Sequence, residues 1–250
     1  MANEYSRSSD DEQKAVEKIE RTLDSIYLRH TSIEEVKKLI HKLKSNKAPG
    51  IDGISTYIVK FSVKIVSPIL TVLFNQCMDE GVFHDLLKIA CIVPLFKGGE
   101  KAESTNYRPI SLLPLFGKIF EKIIEIRLVK FLDKKNIITS HQFGFRKYYS
   151  TELAVAEIQN MLLKNLDENE VTCTIFLDLA KAFDTVDHGI LLLKMEKYGI
   201  RGQALNLFKS YLQNRRHSVK INNTKSSFLT LNIGVPQGSV LGPLLFFIIY

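Results

Sequence analysis

Two side chains in this sequence are placed for chemistry. Asp178 ends the apolar run Thr174-Ile-Phe-Leu-Asp178, and an aromatic, Phe183, follows five residues later. Further along, Gln237 and Gly238 lie in Gly234-Val-Pro-Gln-Gly-Ser-Val-Leu-Gly-Pro243. An ionised carboxylate after an apolar strand must find water, a hydrogen-bond donor or a metal, because burying it alone is very costly. By itself Asp178 fits a helix N-cap or a surface position as well as a metal ligand. Glycines let backbone approach a ligand closely, and a Gln amide can both donate and accept. That loop also reads as a tight turn before a helix. A carboxylate facing such a loop could hold a metal ion beside a nucleotide. Phosphoryl transfer with two metals needs carboxylates that keep the ions about 4 Å apart, which one Asp cannot do. Asp184 and Asp187 read as turn or helix-start carboxylates, and no Asp-Asp pair occurs after Asp10-Asp11.

Basic and aromatic residues form a second set. Lys97, in Pro94-Leu-Phe-Lys97-Gly-Gly, and Arg108, in Asn106-Tyr-Arg108-Pro-Ile-Ser, flank a flexible loop. They are either a solvated face or a phosphate clamp, Arg as a bidentate donor and Lys as a point charge. Gln142-Phe143-Gly-Phe-Arg146 and Asn46-Lys-Ala-Pro-Gly-Ile-Asp-Gly53 are structural turns or sites where aromatics stack on a single strand and cations neutralise it. Lys209, Arg215 and Arg216 surround a helix end, where cations are favourable in any case. The six histidines have no paired ligand spacing, and no phosphate-cradling Walker loop occurs.

The elements that must carry these residues read as follows. Ser32-Ile-Glu-Glu35 is a capping box, with Ile33, Val36, Ile40 and Leu43 on one helical face. A helical region over 55–79 is expected to be interrupted near Pro68. Residues 89–96 and 107–113 form a β-hairpin, and helices cover about 118–132 and 151–166. In the first of these, Ile119, Ile123, Ile126 and Val129 alternate between core and rim. Alternation of Val171, Cys173, Ile175 and Leu177 predicts a strand leading into Asp178. Helices follow near 188–198 and 202–213, the second buried through Leu205, Phe208 and Leu212. A strand pair, 218–221 and 227–233, is joined at Asn222-Asn223. Residues 1–31 read as a polar linker or frayed helix. The nearly all-apolar Leu241–Tyr250 reads as an element cut off inside a core.

At 250 residues and 45% hydrophobic, the chain can bury a substantial core. Its net charge of +7 favours an anionic partner. Cys77, Cys91 and Cys173 share no metal-ligand spacing and read as reduced core thiols in an intracellular setting, cytoplasm or nucleus. The polar, acidic start excludes a secretory signal, and no run approaches the roughly 18 apolar residues of a membrane span.

In order, these motifs over residues 32–250 resemble the reverse transcriptases of jockey-like, non-LTR (LINE-type) retrotransposons. The resemblance implies an α+β right-hand polymerase fold, with fingers over 32–165 and an incomplete palm over 166–250. It implies RNA-directed DNA synthesis, adding dNMP from a dNTP to a DNA primer 3′-hydroxyl on an RNA template with two Mg²⁺. Asp178 would then be a metal ligand and catalytic residue, and Phe183 the gate against a 2′-hydroxyl. Gln237 and Gly238 would contact the nucleotide and template base, Lys97 and Arg108 the triphosphate, and Phe143 and Arg146 the template. The family's paired aspartates would lie beyond Tyr250, so the 250-residue chain is expected to be inactive alone. Nothing in it resembles the nicking endonuclease that usually precedes this domain. The alternative is a non-catalytic nucleic-acid-binding remnant of such an element.

Overall fold

Helix α1 (Ile33–Lys42) begins where the capping box predicts: Ser32 Oγ accepts from the Glu35 N–H at 3.2 Å. The Glu35 carboxylate does not reach back to the cap. It accepts from Thr31 Oγ1 at 2.9 Å and from both Arg127 guanidinium nitrogens at 3.1 and 3.0 Å. A computed structural model describes residues 16–45, 47–179 and 181–250. Ser55 caps α2 (Thr56–Phe61), and α3 (Val63–Glu80) runs on to the left-handed Gly81. The expected break near Pro68 falls at Ser62 instead, and Pro68 lies inside α3. Pro68 frees the Lys64 carbonyl four residues back, and Lys64 is exposed, so solvent can satisfy it.

The hairpin forms as expected. Strand β1 (Ala90–Phe96) pairs antiparallel with β2 (Tyr107–Leu112), from Cys91↔Leu112 to Phe96↔Tyr107. Helix α4 (Leu115–Lys134) follows at once, with Ile119 and Ile123 fully buried, Val129 half-buried and Ile126 at the rim. Helix α5 (Thr151–Asp167) has no buried residue at all. Helices α6 (His188–Lys197) and α7 (Gln203–Leu212) pack on each other, and α7 packs on α3. Strand β3 (Arg215–Ile221) then runs parallel to β1, extending the sheet in the order β2-β1-β3. Asn222, with φ of 53°, turns β3 into the short β4 (Thr224–Lys225), and β5 (Leu229–Leu231) pairs back on β3. Helix α8 (Gly242–Ile249) ends the chain, with Leu244, Leu245 and Ile248 in the core. The core centres on Phe120, stacked at 4.8 Å on Phe74 and at 5.1 Å on Phe83, which meets Tyr211 edge-on. The chain is therefore α+β. Among the described residues no helix is long and apolar enough to cross a membrane.

Three expectations are corrected. Residues 171–177 form no strand: Val171 is 100% exposed, Phe176 82% and Leu177 88%. Alternation selects a buried face only where a neighbouring strand and a covering layer exist, and no described strand lies beside this segment. Cys173 is accordingly exposed and not a core thiol, while Cys77 and Cys91 are buried. Of the expected linker, residues 1–15 lie outside the described part, and residues 16–31 are an ordered strap. Val16, Ile26 and Leu28 are buried there, and Arg127 donates to the Arg29 and His30 carbonyls. Arg201 donates to the Thr22 carbonyl, and Ile26 N–H to that of Gly199. A polar composition concealed three apolar anchors.

Candidate functional site

The loop 234–241 is held from every side. Gly234 N–H donates to the Val186 carbonyl and Val235 N–H to that of Phe183, both at 2.8 Å. Ser111 N–H, on the free edge of β2, donates to the Gln237 carbonyl at 2.8 Å. Ser239 Oγ donates to the Pro236 carbonyl and accepts from Gly242 N–H. The carboxylate Oε2 of Glu121, on α4, accepts from Val240 N–H at 2.6 Å and from Leu241 N–H at 3.1 Å. Gly238 has φ of +107°, a conformation that favours glycine, and a Cβ there would sit a tight 3.1 Å from the Ser111 carbonyl oxygen.

Gln237 is left with its side chain toward a cavity of about 240 Å³ bounded by Ile92, Pro109, Ser111, Asp184, Arg216 and His217. Its Nε2 donates to Asp184 Oδ1 at 3.2 Å. Asp184 lies in a turn, as expected, and Asp187 caps α6 by accepting from Ile190 N–H. The cavity is cationic: Lys88, Arg215 and Arg216 line it against the single carboxylate of Asp184. Burial holds the Lys88 ammonium below its ordinary pKa, against the pull of Asp85, and burial lowers His217 as well. Lys88 is paired with Asp85 at 2.6 Å, and the charge of Glu121 acts on Arg215, so both cations are already met within the protein.

The structure brings some expected site residues together and leaves others apart. Phe183 stacks on Phe246 at 5.4 Å and meets Phe145 edge-on at 6.0 Å, so it joins α8 to the Gln142–Arg146 segment. Phe143 instead packs against Tyr149. Arg146 lies over the same Tyr149 ring, donates to the Thr139 carbonyl and pairs with Asp133, so its guanidinium is engaged within the protein. Arg108 is exposed with no partner among the described residues, opposite Leu95 in the hairpin. Lys97 N–H bonds to the Asn106 carbonyl, continuing the register, so Lys97 and Arg108 fall on one face as diagonal neighbours. Asp178 is exposed in irregular chain and makes no hydrogen bond or ion pair among the described residues. No cluster of three or more His, Cys, Asp or Glu that could hold a metal occurs among them.

Sequence reasoning missed Glu121 and the Asp184 contact. The signal for Glu121 was its position three and seven residues before Ile124 and Leu128, an acid on an apolar helical stripe. It is fully buried, and burial raises its pKa, partly offset by the positive charge of Arg215. No spacing announced the contact between Asp184 and Gln237, which depends on how the loop folds back.

A family model described as reverse transcriptase (RNA-dependent DNA polymerase) matches residues 97–250. The chain is 34% identical over 236 residues to a probable RNA-directed DNA polymerase from transposon BS of Drosophila melanogaster, covering 94% of this chain and 26% of that protein. It is 37% identical over 223 residues to the RNA-directed DNA polymerase from mobile element jockey of the same fly, covering 89% and 24%. The chain thus spans about a quarter of the length of these curated relatives. One chain of a solved partial Cas6-RT-Cas1–Cas2 complex aligns over 86% of this chain and 32% of its own, at 21% identity and a TM-score of 0.45, a likeness too slight to argue from.

Proposed function

The chain belongs to the reverse transcriptase (RNA-dependent DNA polymerase) family, and from that premise we propose that it supplies the nucleotide- and template-binding part of an RNA-directed DNA polymerase of a mobile element. Its substrates are a dNTP, an RNA template and a DNA primer, and its work is intracellular, in the cytoplasm or nucleus. The fold is read as a right-hand polymerase, with fingers over 32–165 and palm residues from 166 onward. The observation that carries the reading is the immobilised Gln237–Gly238 loop. Its glycine lets a base and sugar approach the backbone, and its amide can pair with either donor or acceptor.

In this reading Arg108 and Lys97 hold the triphosphate from one face of the hairpin, with Arg108 free to bind two oxygens at once. Phe183, backed by Phe246, closes the floor under the sugar. Gln237 orients the nascent pair, giving up its bond to Asp184 or keeping it as a brace. Phe143 and Arg146 are engaged with Tyr149 and Asp133, which supports a structural role for them above a template contact.

The family acts with divalent metal, and two Mg²⁺ are the expected pair. The donors described here do not fit that pair, because Asp178 stands alone and no group of three ligands converges. The 250-residue chain by itself is therefore expected to incorporate no dTTP on poly(rA)/oligo(dT). That same observation favours a second reading, a nucleic-acid-binding module without catalysis, marked by salt-dependent RNA binding and no incorporation. Asp178→Asn tested in a longer, polymerising form of the protein separates the two. Turnover should fall by several orders of magnitude, and near-normal turnover would remove Asp178 from the mechanism.

A further inference from the structure

The outer face of α2 and α3 is apolar and uncovered. Phe61, Ile65, Ile69 and Val72 recur at the spacing of one helical stripe, and Tyr57 and Ile58 continue it one turn back into α2. Phe61 is 86% exposed, Ile65, Ile69 and Val72 are between 64% and 70% exposed, and Tyr57 and Ile58 are exposed as well. The opposite face of α3, with Leu70, Phe74, Cys77 and Met78, is buried in the core, so the helix is apolar on two sides and the fold covers one. Six side chains exposed to this degree present about 700 Å² of largely apolar surface, at roughly 150–250 Å² for each aromatic. The largest patch on an ordinary monomer is about 300–600 Å², and a standard interface takes about 800 Å² from each partner.

The charges on α3 run against its own dipole. A helix favours anions at its N-terminus and cations at its C-terminus. The first turn of α3 has no acid and carries Lys64, whereas the last turn has no basic residue and carries Asp79 and Glu80. Lys64 makes no hydrogen bond or ion pair among the described residues. Glu80 accepts from the neutral Gln76 amide at 2.7 Å, and Asp79 is bonded to His30 of the strap at 2.7 Å. The two ends cannot answer each other, because 18 residues of helix span about 27 Å and exposed charges are screened beyond about 10 Å. On α5, the other helix with an open apolar surface, Glu152 lies in the first turn and Lys164 in the last, as the dipole favours.

We propose that the outer face of α2 and α3 is a self-association surface, on which a second copy of the chain packs with the two α3 helices antiparallel about a two-fold axis near Ile69. In that arrangement the stripe of each copy is buried against the other. Lys64 and the positive pole of one α3 then lie beside Asp79, Glu80 and the negative pole of its partner, and the symmetry makes this happen at both ends. A parallel pair would set like charges together. An unrelated apolar partner would cover the stripe and leave the inverted charges unanswered, whereas a second copy brings the matching ends with it.

The 250-residue chain is followed by sedimentation velocity from about 1 to 100 μM, the weak range for an interface of this size, at low and high salt. Wild type should pass from the mass of one chain to twice that mass as concentration rises, and added salt should weaken the dimer. Ile69→Glu places a charge beside the axis in both copies and should leave a monomer at every concentration. Lys64→Glu sets acid against acid and should weaken dimerisation at least about tenfold. Lys64→Glu combined with Asp79→Lys and Glu80→Lys should restore it. Leu163→Glu/Ile175→Glu, on the open surface of α5 and residues 171–177, should leave the dimer intact. All these side chains are exposed, so the thermal midpoints of the variants at low concentration should match that of wild type. A wild type that stays monomeric throughout overturns the proposal. So does association that survives Ile69→Glu and is lost in Leu163→Glu/Ile175→Glu. A dimer lost in Ile69→Glu but indifferent to the charge variants overturns the antiparallel arrangement.

Discussion

Replacing Glu121 with Ala should unfasten the Gln237 loop and cost the protein a measurable part of its stability. The carboxylate is the sole acceptor assigned to the buried N–H groups of Val240 and Leu241, at 2.6 and 3.1 Å. Each orphaned donor costs about 1–3 kcal/mol. Arg215, only 2% exposed, also loses the negative charge that faces it. The two orphaned donors together set a scale of about 2–6 kcal/mol. For a chain of this size that corresponds to a fall in Tm of about 10 °C. Urea unfolding would give the free energy, and hydrogen exchange at Val240 and Leu241 would show whether the loss is local. Glu125→Ala, which removes only a partner of Lys122 at the helix surface, is the control and should stay within about 0.5 kcal/mol. A loss below about 1 kcal/mol in Glu121→Ala, with exchange at both amides unchanged, would refute the reasoning. Glu121 also carries a pH signature. Its pKa is raised by burial, so the folded chain holds this proton more tightly than the unfolded one. Its contribution is complete below the ordinary value of 4.5 and is lost as pH rises through the folded value.

Glu35 should show the opposite sign. Burial acts to raise its pKa, but hydrogen bonds from Arg127 and Thr31 outweigh that and lower it. Its contribution is therefore present above 4.5 and lost as pH falls through the folded value, and the acid limb of the wild-type stability curve should flatten in Glu35→Gln. Phe183→Val, in a polymerising form, should raise rNTP use relative to dNTP by at least about tenfold, one lost steric contact of about 1.4 kcal/mol. It should also lower stability by about 1–3 kcal/mol through the lost stack on Phe246. Unchanged sugar discrimination with the stability loss intact would make Phe183 a core aromatic only.

Elements whose signal is local were legible in the sequence. The Ser32 cap, the Asn222 turn and the apolar stripes of α4 and α7 depend on neighbours within one helical turn or one hairpin. What was not legible depends on partners distant in sequence. Pro68 marked a break that fell at Ser62, because its freed carbonyl lies on a solvent face. The strap 16–31 is ordered by Arg127 and Arg201, roughly a hundred and more residues away. Of the candidate site, the Gln237 loop was readable from its glycines. Glu121, which secures it, stood out only as an acid on an apolar stripe.

The proposed site residues differ in what holds them, and that difference orders the confidence a mutagenesis experiment can place in each position. Gln237 is fixed by contacts to β2, to the turn at 183–186 and to α4, so a change at Gln237 alters one side chain on a rigid frame. Arg108 has its strand register as support and a free guanidinium, which suits a group that must close on a ligand. Asp178 has neither. It follows an apolar segment with exposed side chains, after a helix, α5, with no buried face, and the hydrogen bond from Asn165 to Thr172 joins those two open surfaces. Apolar surface of that extent is favourable only when covered. A layer covering α5 and residues 171–179 would also set the position of Asp178. Substitutions of Ile175 and Leu177 should then depress turnover almost as Asp178→Asn does, while leaving the stability of the 250-residue chain within about 0.5 kcal/mol of wild type, since both side chains are exposed in it.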